Sequence, residues 1–546
     1  LYTFPYAEPA AWRIALATGI GTAAGALGFG MERNRWWWAV LFAGVVGTLA
    51  GLIFYWNGGG WRAWGDWHTA SLFLGIAIAV PLFQTARDEG AWRFPYAEVH
   101  GHAWTNVVLW VACWLFVGVV FALAWLLAAL FDLIGLHFLR DLLRHNWFNA
   151  LLFGGGFGAA LGLLRERDTV VRLLQRVVTA VLSVLAPVLG VGLLIFLVSL
   201  PFTGLNALWD ATRSTTPILL SCVIGALILA NAVIGNGADE EATNPVLRYG
   251  AMALAVAIFP LAVVAANATG LRIGQYGLTP DRLWALVFVA LASAYGLVYL
   301  LAVVRGRGRW ATLVRPGNIR LAFGVVVIAL VLATPILSFN ALSTADQVAR
   351  LESGKIALDK FDWAALAFDF GDPGKAALKR LAGSKNATVA VRARDVGKSE
   401  NRWEVASIEE SSRAVDTLKT HLRVLPEAVP VPRALLAKLS DWDVCGDDVR
   451  EACTVFYTVA ATEAVAIRQS CYAANAGPGR TTRLPACAAH LRLSGKAWTT
   501  DAPEHPLDEP ARIRVEQDLK AGKLEVRPVT RRQLFIGDRP VGEAFE

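Results

Sequence analysis

Long apolar runs alternate with short polar breaks from residue 11 to residue 340. Ten such runs stand out, at 11–30, 37–56, 69–86, 104–131, 147–164, 175–200, 216–235, 249–269, 281–304 and 320–340. The hydrocarbon core of a bilayer takes about 20 apolar residues per helix. No water is available there to satisfy an open backbone, so the runs are expected as helices. The third is short and carries Pro81. Tryptophans crowd the ends of the early runs, at Trp36, Trp37, Trp38, Trp56, Trp61, Trp64 and Trp67, the level at which an aromatic belt meets the headgroups.

Beyond 340 the pattern changes. Charge rises to ordinary soluble density, and the first lysine of the chain is Lys355. The expected organisation is mainly α: a polytopic helical membrane bundle of about ten spans over 1–340, then a soluble α+β domain over 341–546. Composition supports this, since 55% hydrophobic and 17% charged residues with a mean hydropathy of +0.46 exceed what a soluble chain of this size carries.

The net charge of +7 has a topological reading. The segment "RERDTVVRLLQR" (165–176) holds four arginines and "RGRGRWATLVRPGNIR" (305–320) holds five. Four runs separate them, so both fall on one side, and the positive-inside rule makes that side cytoplasmic. An even span count places both the N-terminus and the 341–546 domain in a bacterial periplasm. No basic stripe interleaved with aromatics occurs, so no nucleic-acid partner is expected.

Between the eighth and ninth runs lies a polar clasp, "RIGQYGLTPDRLW" (272–284). Thr279 suits an N-cap, Pro280 the first helical position and Asp281 the positive first turn. Gly274 and Gly277 permit a tight reversal. One reading is a structural turn whose arginines snorkel to lipid phosphates. In the other, Arg272, Tyr276 and Arg282 line an outer-leaflet pocket for an anionic lipid headgroup or substrate.

The order of features resembles the bacterial membrane family known as domain of unknown function 4153. The resemblance rests on R-x-x-x-Y-G-L-T-x-x-R as it stands from Arg272 to Arg282, on the two spans after it, and on "NALSTADQVARLESGKI" and "FDWAALAFDFGDPGKAALKRLA" beyond them. It covers most of the chain. It implies fold and membrane location; the family carries no established activity, so no catalytic residue is carried over.

Other features have competing readings. "FPYAE" occurs at 4–8 and 94–98, three spans apart; an inverted-topology repeat would place it so, but similarity stops after the pentamer, and chance or a reused interfacial turn accounts for it as well. Gly21 with Gly25, and Gly154, Gly158 and Gly162, have the spacing of close helix packing. The stretch 133–148 reads as an interfacial amphipathic helix. Asn231 and Asn267 are the polar mid-span residues, and no Asp, Glu, Lys or Arg accompanies them, which argues against ion coupling. Glu98, His100 and His102 make either a partial metal site or interfacial histidines; no metal and no cofactor is expected. No phosphate-binding, dinucleotide or nucleophile-elbow motif occurs.

In the C-terminal domain, "GDPGKAALKRLAG" reads as a helix with Asp372 as its cap. Strands are expected at 453–461, 463–473, 488–495 and 532–538. Cys445, Cys453, Cys471 and Cys487 all fall here, and four cysteines in an exported domain suggest two disulfides. The sequence-local pairing, Cys445–Cys453 and Cys471–Cys487, needs least chain closure; zinc is the rival.

The first functional expectation is a non-enzymatic inner-membrane scaffold or accessory subunit whose outer domain contacts an envelope partner and whose bundle contacts anionic lipid. The alternatives are a permease for a neutral or lipid-like solute and an enzyme on a lipid-linked substrate. A solid bundle favours the scaffold, a continuous midplane cavity the permease, and an outer-leaflet cleft with convergent carboxylates the enzyme.

Overall fold

A computed structural model describes residues 10–545 apart from 34, 58–66, 212–214, 426–428, 441–443, 446–451, 458–461, 469–487, 496, 501–513, 515–516, 524–529, 531 and 537–538. The chain forms two compact units, Leu1–Lys355 and Ile356–Glu546.

The first unit is helical. Its elements are α1 (Ala11–Gly30), α2 (Trp36–Trp56), α3 (Trp67–Glu89), α4 (Tyr96–Leu133), α5 (Phe138–Leu143), α6 (Asn146–Arg165), α7 (Asp168–Ala211), α8 (Thr215–Ile234), α9 (Pro245–Tyr276), α10 (Pro280–Gly306), α11 (Trp310–Ala333) and α12 (Phe339–Glu352). Nine of the ten expected runs fall on a helix throughout nearly their whole length, and the tenth, 320–340, is α11 up to Ala333 and then a turn at 334–338 before α12. Among the described residues, eight helical stretches are long and apolar enough to cross a membrane, the last of them, Pro280–Ala333, holding both α10 and α11. The 20-residue α1 is not among the eight. The short α5 lies in the stretch expected at the interface, beside exposed Leu133, Ile134 and Phe138.

Alanine and glycine let α9 run through the centre. Ala255, Ile258, Leu261, Ala262 and Ala265 of α9 are wholly buried in a core shared with α7, α8, α10 and α11. A side chain added at Gly250 would come within 2.6 Å of Pro187 on α7, and one at Gly296 of α10 within 2.7 Å of Phe259 on α9. The α1–α2 pair is equally close, since a Cβ on Gly47 would lie 2.6 Å from Ala23. Such contacts replace the hydrophobic effect as the packing force within lipid.

The sequence places the change of character near 340, whereas the units divide after Lys355. The physical reason is α12. Its polar side chains bind the clasp, so this helix belongs to the bundle.

Among the described residues, the second unit holds α13 (Gly371–Leu381), α14 (Ala387–Val396), α15 (Arg402–His421), α16 (Arg433–Leu439) and seven strands. The strands are β1 (Leu422–Leu425), β2 (Cys453–Phe456), β3 (Glu463–Arg468), β4 (Ala488–Ser494), β5 (Ala497–Thr500), β6 (Arg532–Ile536) and β7 (Arg539–Phe545). Strands β1 to β5 form one sheet in chain order, with only β1 and β2 parallel, and β6 pairs with β7. Each of the four expected strands contains an observed one, with 458–461, 469–473 and 537–538 outside the described residues; β1, β5 and β7 are additions that apolar alternation did not single out. Asp372 sits in the first turn of α13, with Phe370 in the cap position.

Candidate functional site

The bundle is not solid. A cavity of about 3350 Å³ lies between α1, α3, α4, α6 and α7, several times the roughly 300–1,000 Å³ of an ordinary small-molecule pocket. Its wall on α1 runs from Arg13 to Gly28 and on to Arg33. At 1.5 Å per helical residue that is about 25–30 Å, close to the thickness of a bilayer core.

The glycines expected to pack helices instead shape this space. A Cβ added at Gly21, Gly25, Gly154, Gly158 or Gly162 would meet nothing within 4 Å, and all five line the cavity. Helices α1 and α6 do touch at one end, where a Cβ on Gly28 would lie 3.0 Å from Leu161 and Arg165 donates to the carbonyls of Gly28 and Met31. From that pivot they part. Glycine spacing signals close approach only if a partner helix faces it, and the partner is a tertiary fact.

The end at the pivot is polar. Buried Arg87 donates to the carbonyl of Gly30 and pairs with Asp88, which also meets His102 at 3.1 Å. Arg35 donates to the carbonyls of Arg87 and Asp88. Gln84 and Asn106 bond each other, and Gln84 reaches the carbonyl of Phe29. These bonds tie the ends of α1, α3, α4 and α6 into one rim.

From this rim a polar stripe descends α7. Arg172, Gln175, Arg176, Thr179 and Ser183 have the spacing of a single helix face and all line the cavity. The hydroxyls of Thr179 and Ser183 donate to carbonyls one turn back, and Thr105 of α4 meets Gln175. The stripe covers about 16 Å of helix, roughly half of the membrane depth. The remainder is mainly apolar, with Trp110, Trp114 and Phe153 in the wall, and Arg13 stands at the far end of α1. The sequence did contain this signal, a helical face of polar residues entering an apolar run, beside the arginines used for topology.

Behind the cavity wall lies a buried polar node. Asn231, singled out from the sequence, donates to the hydroxyl of Tyr299 and the carbonyl of Leu227, while its oxygen accepts from Asn318 and Tyr96. Arg315 donates to Ile234 and Gly237 carbonyls and pairs with Glu241. His100, on the cavity side, accepts from the indole of Trp104. Among the described residues, no three His, Cys, Asp or Glu side chains converge as metal ligands.

The clasp occupies the opposite end of the bundle. Thr279 caps α10 by accepting from the amide of Arg282, and Gly277 takes the left-handed φ of 79°. This reversal strands four backbone groups, and α12 satisfies them. Asp346 accepts from the amide of Leu278, Gln347 donates to the carbonyls of Tyr276 and Leu278, and Arg350 donates to that of Gln275. Arg282 donates to the carbonyl of Gly277 at 2.7 Å and lies over the Tyr276 ring at 5.5 Å. Arg272 shares the Tyr276 face of α9, one turn upstream. The three expected site residues are thus brought together, with Arg350 added from α12.

Cys445 and Cys453 are disulfide-bonded with Cα atoms 5.6 Å apart; Cys471 and Cys487 lie outside the described residues, as does the first "FPYAE" copy. Cys113 is buried within α4 and free, as is the half-buried Cys222 of α8.

These features define a polytopic α-helical membrane protein with a large, half-open cavity and an attached α+β unit. The chain belongs to the family described as Domain of unknown function (DUF4153), whose model matches residues 3–371. That match takes in the cavity, the clasp and α12. No curated protein and no solved structure matches the chain.

Proposed function

We propose that this protein is a permease of a bacterial inner membrane for a lipid-like, amphipathic solute. The observation that carries this reading is the cavity, which follows α1 for nearly a bilayer's depth with a charged rim at one end, a mainly apolar wall beyond it and Arg13 at the far end. A polar head has a path along Arg172, Gln175, Arg176, Thr179 and Ser183. Its chains have the gap between α1 and α6. The rim carries both signs, with Glu98, Glu166 and Glu240 beside the arginines, which suits a zwitterionic or phosphodiester head better than a simple anion. A scaffold has no need of such a space, and the carboxylates do not converge as a hydrolytic pair would, so the permease reading stands above both alternatives.

The positive-inside rule favours a cytoplasmic rim. It then puts the clasp, α12 and the second unit in the periplasm, where the Cys445–Cys453 bond is chemically at home.

Cross-linking with a photoreactive phosphatidylethanolamine tests the reading. The expected adducts fall on α1, α4, α6 and α7. Gly25→Leu and Gly158→Leu, which fill open space without straining a helix, should suppress both adduct formation and movement of a fluorescent phosphatidylethanolamine across proteoliposomes. Adducts confined to the outer surface, undiminished in these variants, would remove the proposal.

A further inference from the structure

We infer that the clasp and α12 together form an oxyanion site for a net-anionic phospholipid headgroup at the surface opposite the arginine-rich rim. The site goes beyond the permease reading and lies at the other end of the bundle from the residues that carry it.

Three guanidinium groups converge there from three helices. Arg282 and Arg350 meet at Gly277: the former bonds its carbonyl, and the Cδ of the latter lies 2.8 Å from where a Gly277 side chain would begin. Arg272 and Arg350 are both electrostatic neighbours of Arg282, and Asp281 offsets them only in part. Among the described residues none of the three is ion-paired with a carboxylate. Asp346, the α12 carboxylate that faces the clasp, is engaged by the amide of Leu278. Asp281 is exposed in the first turn of α10, where the helix N-terminus already attracts it.

The donors left over point to a ligand. Arg350 is only 8% exposed, with one nitrogen on the carbonyl of Gln275 and an enclosed Nε that has no hydrogen-bond partner, so it adds positive charge behind the site. Arg282 uses one nitrogen on Gly277 and lies 5.5 Å from the centre of the Tyr276 ring, and its other nitrogens make no hydrogen bond among the described residues. Half-buried Arg272 makes no hydrogen bond among the described residues. Like charges gathered at a membrane surface require an anion, and planar forks match the paired oxygens of a phosphate. Tyr276, 61% exposed, keeps the site open to the lipid surface.

The test is native mass spectrometry of the full-length chain titrated with phosphatidylglycerol, and separately with phosphatidylcholine. Arg272→Gln removes a charge without breaking an internal bond. It should weaken phosphatidylglycerol binding about tenfold, the scale of one lost charge-assisted hydrogen bond, and Arg272→Lys should fall between. The effect of Arg272→Gln should persist in a Gly158→Leu background, which removes any contribution of the cavity, so failure of the permease reading and failure of this site are separable. Displacement of the lipid by inorganic phosphate would identify free phosphate as the source of the oxyanion; resistance to it would identify the lipid. Equal phosphatidylglycerol affinity in wild type and Arg272→Gln, or an equal loss for phosphatidylcholine, would overturn the site.

Discussion

Asn231 shows how much one side chain can organise inside a membrane. Its amide joins α8 to α10 through Tyr299, to α11 through Asn318 and to α4 through Tyr96. Tyr299 is wholly buried, so removing its partner leaves a hydroxyl with no water to turn to. Asn231→Leu should therefore destabilise the bundle by about 2–4 kcal/mol, the cost of stranding several buried polar groups. Tyr299→Phe, which deletes one bond and strands less, should cost about 1 kcal/mol. Unfolding in mild detergent, followed by heat or by chemical denaturant, distinguishes the two; equal and negligible shifts would mean that water already serves the node. Asn231 was visible in the sequence as a polar residue within an apolar run. Its partners were not, because they come from three other helices.

At the scale of elements, the clasp and α12 form one interlocking unit. The reversal after α9 needs a positive φ at Gly277 and leaves backbone groups that only Asp346, Gln347 and Arg350 satisfy. Any side chain at Gly277 would come within 2.6 Å of Asp346 and of Gln347. Gly277→Val should thus release α12, read as new proteolytic cleavage between 339 and 355, whereas Gly274→Ala, whose Cβ would meet nothing within 4 Å, should leave that segment protected. Thr279→Ala should cost about 1 kcal/mol of capping without releasing α12. The turn chemistry of this stretch was legible, since Thr279, Pro280 and Gly277 are placed as local rules require. That α12 grips it was not, since a loop's unsatisfied carbonyls leave no trace in its own sequence.

For the whole molecule, orientation and redox state are linked. If the rim faces the cytoplasm, Cys445 and Cys453 reside in an oxidising compartment, and neither should react with an alkylating reagent in unreduced protein. Closing a loop of eight residues stabilises the second unit by about 2–3 kcal/mol in the chain-entropy account, so Cys453→Ser should lower its unfolding temperature measurably. Reporter fusions after Lys355 give an independent answer: activity of a periplasm-dependent enzyme there is expected, and activity of a cytoplasm-dependent one alone would reverse the topology.

Taken alone, the sequence determined the helices, the capping of α10, the strand-forming segments of the second unit and the family. Each depends on local chemistry: an apolar run of about 20 residues must close its own hydrogen bonds in lipid, and a Thr-Pro pair caps a helix wherever it stands. Tertiary structure decided the rest. Gly21, Gly25, Gly154, Gly158 and Gly162 carry a spacing that fits tight packing and open space equally well, and only the parting of α1 from α6 makes them the wall of a cavity. Arg350 lies 78 residues beyond Arg272, and it reaches the clasp because the reversal between α9 and α10 offers carbonyls that α12 can bind.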